Sequence, residues 1–379
     1  MTARPLIRVE QASLGAEAQV RLVVSGDLDL DKLRSVWSSS GATVQKVDGR
    51  LHATTTVQAL ARAAGRAFGP EEGRRLETVL RDAISAWSGP APPVPAAGGL
   101  LPTDARPLVM GIVNVTPDSF AEFAPLYPDG HPQAAIDHGL RLVAEGADIL
   151  DVGGESTRPG AEPVAADEEL RRVLPVVEAL AGEGHTVSID TSKAAVAAAA
   201  LAAGATIVND VSGGRDPQLL HATAEAGAAY VLMHSRGTPR DMTTLTDYRD
   251  VVAEVFEFLG AGLTRCAEAG IALDRIIVDP GIGFAKDATQ NLQLLRSVRQ
   301  VRSLGRPVLI GASRKSFLGA LLDDAGPTDR LEGSLACVAA AVTEGAAIVR
   351  VHDVAASVRA ARVARGIATA SLEWASAPV

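Results

Sequence analysis

TVSIDTSKAAVAAAALAAGATIVND (186–210) contains, in one stretch, the unit that decides the fold. A short β-branched run, TVSID, ends on Asp190. An Ala/Val-rich segment follows, and a second run, TIVND, ends on Asn209 and Asp210. Short apolar runs separated by a helix-like stretch are the pattern of parallel strands joined by crossover helices. The alternation continues in both directions. LVMGIV (108–113) and ADILDV (147–152) precede it; AYVLM (229–233), RIIVD (275–279), PVLIG (307–311) and AIVRV (347–351) follow. Amphipathic stretches such as 168–181, 251–269, 291–304 and 331–344 lie between them. Eight strands alternating with helices over about 265 residues predict a (β/α)₈ barrel, an α/β fold. A doubly wound open sheet would show fewer strands and a Gly-rich turn after the first, and neither is present.

The chain has 379 residues, more than one compact domain usually holds. Residues 88–106, with five prolines before position 103 and repeated Gly and Ala, read as a linker with no regular element. Residues 1–87 then form a small α/β module, with VRLVVSG (20–26), TVQKV (43–47) and LHATTTV (51–57) as strands beside helical patterns. It carries no cluster of catalytic residue types. The barrel is expected over 107–370.

Composition removes several classes of function. The chain is 47% hydrophobic and 21% charged, ordinary for a globular protein. A net charge of −9 gives no basic field for nucleic acid or an anionic membrane, so any anionic ligand needs local cations. The start has no secretory h-region and no apolar run is long enough to span a bilayer. Two cysteines, Cys266 and Cys337, argue against a disulfide framework and fit a reducing, cytoplasmic setting. No histidine spacing builds a zinc site.

Polar residues fall where a barrel keeps its chemistry, at the C-terminal ends of strands. Asn114, Asp151, Asp190, Asn209, His234, Asp279, Lys315, Arg350 and His352 all sit there. Asp190, Asn209 and Asp279 are acceptor-rich and suit a flat heterocycle that presents N–H donors. Lys315, Arg350, His352 and Arg158, with the Asn114 amide, suit phosphate or carboxylate. His234 and Glu155 read better as structural hydrogen-bonding groups, and DPGIGF (279–284) as a turn rather than a phosphate cradle.

These residues lie in blocks that closely resemble the dihydropteroate synthase family: MGIVNVTPDSF (110–120), GADILDVGGESTRPGA (146–161), SIDTSKA (188–194), IVNDVSGG (207–214), VLMHSRGTPRDM (231–242), VDPGIGFAK (278–286), IGASRKSF (310–317) and RVHDV (350–354). The resemblance implies condensation of 6-hydroxymethyl-7,8-dihydropterin diphosphate with 4-aminobenzoate, giving 7,8-dihydropteroate and diphosphate. It places the pterin at Asp190, Asn209, Asp279 and Lys315. The diphosphate falls to Asn114, Arg350 and His352, with Mg²⁺ held through Asn114. It places aminobenzoate, and hence sulfonamides, at Thr157, Arg158, Pro159, Phe284 and Ser316. Asp118 and Glu122 on the first loop would stabilise developing cationic character or position the metal, and a homodimer through barrel helices is expected. The family's first loop continues SDGG after TPDSF, whereas this chain reads AEFAPLYPDG (121–130), so that loop is expected not to follow the family's backbone path throughout. A methyltetrahydrofolate-dependent methyltransferase would share the Asp/Asn set without the anion pocket. A non-catalytic pterin-binding paralogue would keep the ring contacts while the altered first loop abolishes turnover.

Overall fold

A computed structural model describes residues 5–12, 19–26, 29–116, 132–158 and 160–374. The chain divides into two compact units. The first is Met1–Ala91 with Arg299–Arg306, and the second is Pro92–Val298 with Pro307–Val379.

In the first unit β1 (Leu6–Ala12), β2 (Gln19–Ser25), α1 (Leu30–Ser39), β3 (Thr43–Val47), β4 (Arg50–Thr56) and α2 (Val57–Ser88) follow in order. The strands make an antiparallel sheet, β1-β2-β4-β3. The Asp29 carboxylate accepts the Lys32 N–H and starts α1; Gly69, at φ +83°, breaks α2 into two helical arms. Leu22, Leu33, Leu51, Leu60 and Leu80 pack around a fully buried Trp37, whose indole N–H donates to the Leu60 carbonyl at 3.3 Å. β1 went unrecognised in the sequence. Arg299–Arg306 completes this unit: the Val9 N–H donates to Ser303 Oγ at 3.1 Å, and the Arg302 guanidinium donates to the Gly89 carbonyl.

The second unit opens with β5 (Val94–Ala96) and β6 (Gly99–Leu101), an antiparallel ribbon turning at Gly98. The expectation of no regular element over 88–106 is therefore corrected. Val94 and Leu101 are buried, and burial orders a proline-rich stretch that local propensity alone leaves open.

β7 (Leu108–Asn114), α3 (Gln133–Ala144), β8 (Ile149–Gly153), α4 (Ala166–Gly182), β9 (Val187–Asp190), α5 (Ala194–Ala202), β10 (Ile207–Asp210), α6 (Pro217–Glu225) and β11 (Ala229–Met233) come next. Then follow α7 (Val251–Glu268), β12 (Ile276–Asp279), α8 (Ala288–Arg296), α9 (Val298–Val301), β13 (Leu309–Ile310), α10 (Ser316–Gly319), α11 (Leu331–Thr343), β14 (Ile348–Val351) and α12 (Val354–Thr369). The eight strands from β7 onward are parallel, in the order β12-β11-β10-β9-β8-β7-β14-β13. A bridge between Val278 and Val308 joins the two ends, so the sheet closes into the expected (β/α)₈ barrel. The 291–304 stretch, read as one helix, is broken: α8 is capped by Ser297, and a second short turn runs to Gly305 at φ +74°. Among the described residues no helix is long and apolar enough to cross a membrane.

Register decides which side chains share a face. Gly153 pairs with Asp190 and Asp190 with Asn209, while one step deeper Asp151 lies level with Ile112 and Ser188. Asp151 is thus not the last residue of its strand. It is fully buried two residues below the rim.

Candidate active site

Three strands meet at Asp151. Its Oδ2 accepts the Arg350 Nε–H at 2.6 Å and the Asn209 amide at 3.0 Å, and Arg350 Nη2 donates to Asp190 Oδ2 at 2.7 Å. Burial raises the Asp190 carboxyl to about 7, with Arg350 opposing and Asp151 adding to the rise. Arg350 therefore does not stand apart in an anion pocket, as the sequence grouping had it. It links the acceptor-rich set to the cationic one. Asp210, beside Asn209, is spent internally on the Ser212 and Gly214 N–H groups and the Tyr230 hydroxyl.

The turn after β12 brings the opposite wall. The Gly281 N–H donates to Asp279 Oδ1 at 2.7 Å, and Gly281, at φ +70°, packs so close to the His234 carbonyl that a Cβ would lie 2.0 Å from its oxygen. Only glycine makes this turn. Burial raises the Asp279 carboxyl, against the Gly281 N–H and Lys315. The Lys315 ammonium lies 4.5 Å from the Phe284 ring centroid and donates to the Ile282 carbonyl. Burial lowers it to about 8, with Asp279 working the other way.

His352 differs from the sequence reading. Burial first, and then the Arg350 charge, push its imidazole down to about 3, so it offers a neutral N–H instead of a cation. Its backbone N–H donates to Ser313 Oγ at 3.2 Å, and Nδ1 lies 3.1 Å from the same oxygen. Arg158 is exposed, and its charge adds to the lowering of His352. Asn114 ends β7, half-buried; Thr157 is half-buried and Ser316 exposed at the start of α10. Asp118, Glu122 and Pro159 lie outside the described residues.

Around this cluster, residues outside the predicted set hold the loops. Lys193 donates to both Glu155 and Glu169, and Glu155 Oε1 accepts the Val164 N–H at 3.0 Å, closing the loop that carries Thr157 and Arg158. Glu155 is thus the structural acceptor that the sequence indicated. Lys286 reaches His234 Nδ1 at 2.9 Å, the Gly281 carbonyl at 2.9 Å and the Phe284 carbonyl at 2.8 Å, three acceptors for three ammonium protons. Burial pushes His234 down to about 2, so it acts as this lysine's neutral acceptor. A cavity of about 580 Å³ borders His234, Arg215, Arg236 and Phe258, and none of the rim acids lines it. Its arginines are occupied: Arg215 by the Ser235 and Gly237 carbonyls, Arg236 by Glu254 and the Asp247 carbonyl. Among the described residues no group of three or more His, Cys, Asp or Glu is placed to hold a metal ion.

Residues 110–352 match the family model for pterin binding enzymes. A dihydropteroate synthase of Synechocystis is 45% identical over 278 residues, 72% of this chain and 94% of that protein. The dihydropteroate synthase of Mycobacterium leprae is 50% identical over 262 residues, 67% of this chain and 91% of that one. Among solved structures, the Yersinia pestis dihydropteroate synthase in complex with a sulfonamide drug superposes with a TM-score of 0.69 at 41% identity. The match covers 73% of this chain and 99% of that one. The Burkholderia cenocepacia enzyme complexed with 7,8-dihydropteroate gives 0.67 at 43% identity, covering 75% and 99%. The family match over residues 110–352, the identity to these relatives and the shared barrel agree: the chain belongs to the pterin-binding enzymes, among the dihydropteroate synthases.

Proposed function

We propose that this rim condenses 6-hydroxymethyl-7,8-dihydropterin diphosphate with 4-aminobenzoate, releasing diphosphate and forming 7,8-dihydropteroate. The observation that carries the reading is the single cluster in which Asp190, Asn209 and Asp279 face Lys315 and Arg350. The acids and the amide accept from the N–H edge of the pterin, with Lys315 against the same ring. Arg350, the neutral imidazole of His352 and the Asn114 amide receive the diphosphate. Thr157, Arg158, Pro159, Phe284 and Ser316 receive aminobenzoate, which is also where a sulfonamide competes. One relative is solved with 4-aminobenzoic acid and another with 7,8-dihydropteroate, which supports this substrate pair.

The bond between the pterin methylene and the diphosphate oxygen breaks first, its electron pair leaving with diphosphate. The ring delocalises the positive charge on the methylene. The aniline nitrogen then bonds to that carbon and releases a proton, a step that needs placement more than a strong base. Asp118 and Glu122 are proposed to stabilise the cation from the first loop.

Mg²⁺ fits the chemistry of Asn114. It takes oxygen ligands, keeps several waters and commonly pairs one or two protein oxygens with phosphate oxygens. Bound there with the diphosphate, it would neutralise the charge of the departing group; loss of turnover in EDTA, restored by Mg²⁺, supports that assignment. Exposed Val363 and Ile367 on α12, one helical turn apart, support a homodimer through barrel helices, and light scattering tests it. A cytoplasmic setting accords with two buried free thiols.

Diphosphate release tests the function. Mixing both substrates should liberate diphosphate, and either alone should not. Binding of the pterin without release would make the chain a non-catalytic paralogue. Methyl transfer from a methylated folate would make it a methyltransferase.

A further inference from the structure

Asp151 is the most deeply placed charge of the cluster and is not itself among the residues expected to meet substrate. It is fully buried, and its Oδ2 alone accepts both the Arg350 Nε–H and the Asn209 amide. Among the described residues its other oxygen, Oδ1, has no hydrogen-bond partner, and neither has Ser188 Oγ, which lies level with it on the next strand. A buried carboxylate is tolerated only against an opposite charge, and here that charge is Arg350. Arg350 also holds Asp190, so the guanidinium is shared between two acids, one on the floor and one at the rim.

We propose that Asp151 is a positioning residue for the condensation: by holding Arg350 and Asn209 through one oxygen, it sets the diphosphate subsite in register with the pterin subsite. The inference rests on the substrate assignment above. With Asp151 present, the guanidinium is divided, with Nε turned to the floor and Nη2 to Asp190. This leaves Asp190 a lone pair for the ring. Without the Asp151 charge, Arg350 is free to turn wholly onto Asp190 as a two-pronged pair, the geometry guanidinium and carboxylate prefer. Asp190 would then be spent on Arg350, and the ring would lose an acceptor just as the diphosphate loses its aligned cation. One substitution would therefore loosen both halves of the same substrate. Aminobenzoate, held by the outer loops, would be spared.

Asp151→Asn separates charge from geometry. Its amide oxygen can still accept from Arg350 and Asn209 where Oδ2 stood, while its NH₂ falls at the unpartnered Oδ1 position beside Ser188 Oγ. The full chain is titrated with 6-hydroxymethyl-7,8-dihydropterin diphosphate by calorimetry, and turnover is followed by diphosphate release. The expected result is a Kd for the dihydropterin diphosphate raised about tenfold or more, with the KM for 4-aminobenzoate within about twofold of wild type. Combining it with Arg350→Lys should add little to the loss from Arg350→Lys alone, because both weaken the same Asp151–Arg350 ion pair. Should Asp151→Asn fail to fold, Asn209→Ala and Arg350→Lys form a second cycle. These residues share Asp151 as a hydrogen-bond partner, and their effects on Kd should be non-additive. An unchanged Kd in Asp151→Asn, equal losses for both substrates, or additive losses in either cycle overturns the proposal. A wild-type chain that fails to bind the dihydropterin diphosphate overturns the substrate assignment instead.

Discussion

Arg314 grips Asp353 through two parallel hydrogen bonds, Nε to Oδ2 at 2.9 Å and Nη2 to Oδ1 at 2.5 Å. The pair ties the turn that carries Ser313 and Lys315 to the strand end that carries Arg350 and His352. Arg314 sits at φ +59°, a left-handed conformation that costs a non-glycine residue on the order of 1 kcal/mol or more. Its N–H donates to Ser334 Oγ at 2.9 Å and its carbonyl accepts from Arg330 at 3.1 Å. Strain kept in place by three side chains marks a turn whose shape matters. Asp353→Ala should lower kcat/KM about 10- to 100-fold through Lys315 and His352, and lower the unfolding midpoint by a few degrees. Steady-state kinetics beside a thermal melt checks this, and kinetics within about twofold of wild type would make the fork a surface pair only.

Lys315→Arg should be damaging although charge is conserved. The lysine stem passes so close to Gly283 that a Cβ there would lie 2.6 Å from Lys315 Cδ, and the ammonium fits between the Ile282 carbonyl and the Phe284 ring. A planar guanidinium needs more width than this slot has. Loss of about 100-fold in kcat/KM is expected, and Gly283→Ala, at φ +82°, should approach the same loss from the other side. Diphosphate-release assays on both variants decide it.

Lys193→Met should act on aminobenzoate alone. It leaves Glu155 and Glu169 without their shared cation, and Glu155 closes the loop bearing Thr157 and Arg158. Glu169 is fully buried, so stability should fall by roughly 3 kcal/mol as well. The expected signature is a KM for 4-aminobenzoate raised about tenfold with the Kd for the dihydropterin diphosphate near wild type. Equal effects on both substrates would remove the loop from the explanation.

The pH profile should be a narrow bell. Asp190 is needed as a carboxylate to accept from the ring and is raised to about 7, so kcat/KM falls as pH drops below that value. Lys315 is needed as an ammonium and is lowered to about 8, so kcat/KM also falls as pH rises past it. The two apparent values belong to a coupled cluster. In Lys315→Arg the residual activity should keep the acid limb and lose the alkaline one.

Stability should show the buried histidine separately. His234 is lowered from 6.5 to about 2 on folding, so below pH 6.5 the unfolded chain takes up a proton that the native one refuses. Its contribution is present above pH 6.5 and is lost as pH falls, by up to about 1.4 kcal/mol per pH unit. Denaturant titrations of wild type and His234→Gln should diverge with that slope between pH 6 and about 4, and parallel curves would contradict a neutral native His234.

The barrel was legible because parallel strands buried on both faces read as short apolar runs, and its rim because each polar residue interrupts such a run. Asp151 was visible as a residue and misread in place. ADILDV stops at Val152, and nothing in the letters says that the ladder continues to Gly153 and leaves the acid inside. The neutrality of His352 comes from burial beside Arg350, a tertiary neighbour. β1 (LIRVEQA) alternates polar and apolar residues as an edge strand does, but its bulge between Val9 and Gln11 blurs the period. The proline-rich ribbon and the broken 291–304 helix are ordered by contacts that no local window contains.

Arg299–Arg306 has a consequence for synthesis. The edge strand β1 finds the Ser303 hydroxyl only 294 residues after Val9 has been made, when six of the eight barrel strands have already left the ribosome. At about 5–20 residues per second that is an interval of roughly 15–60 s during which the edge of the first sheet stands open. The amino-terminal unit is therefore finished late, and the nascent chain must carry an unfinished sheet edge while most of the barrel is translated.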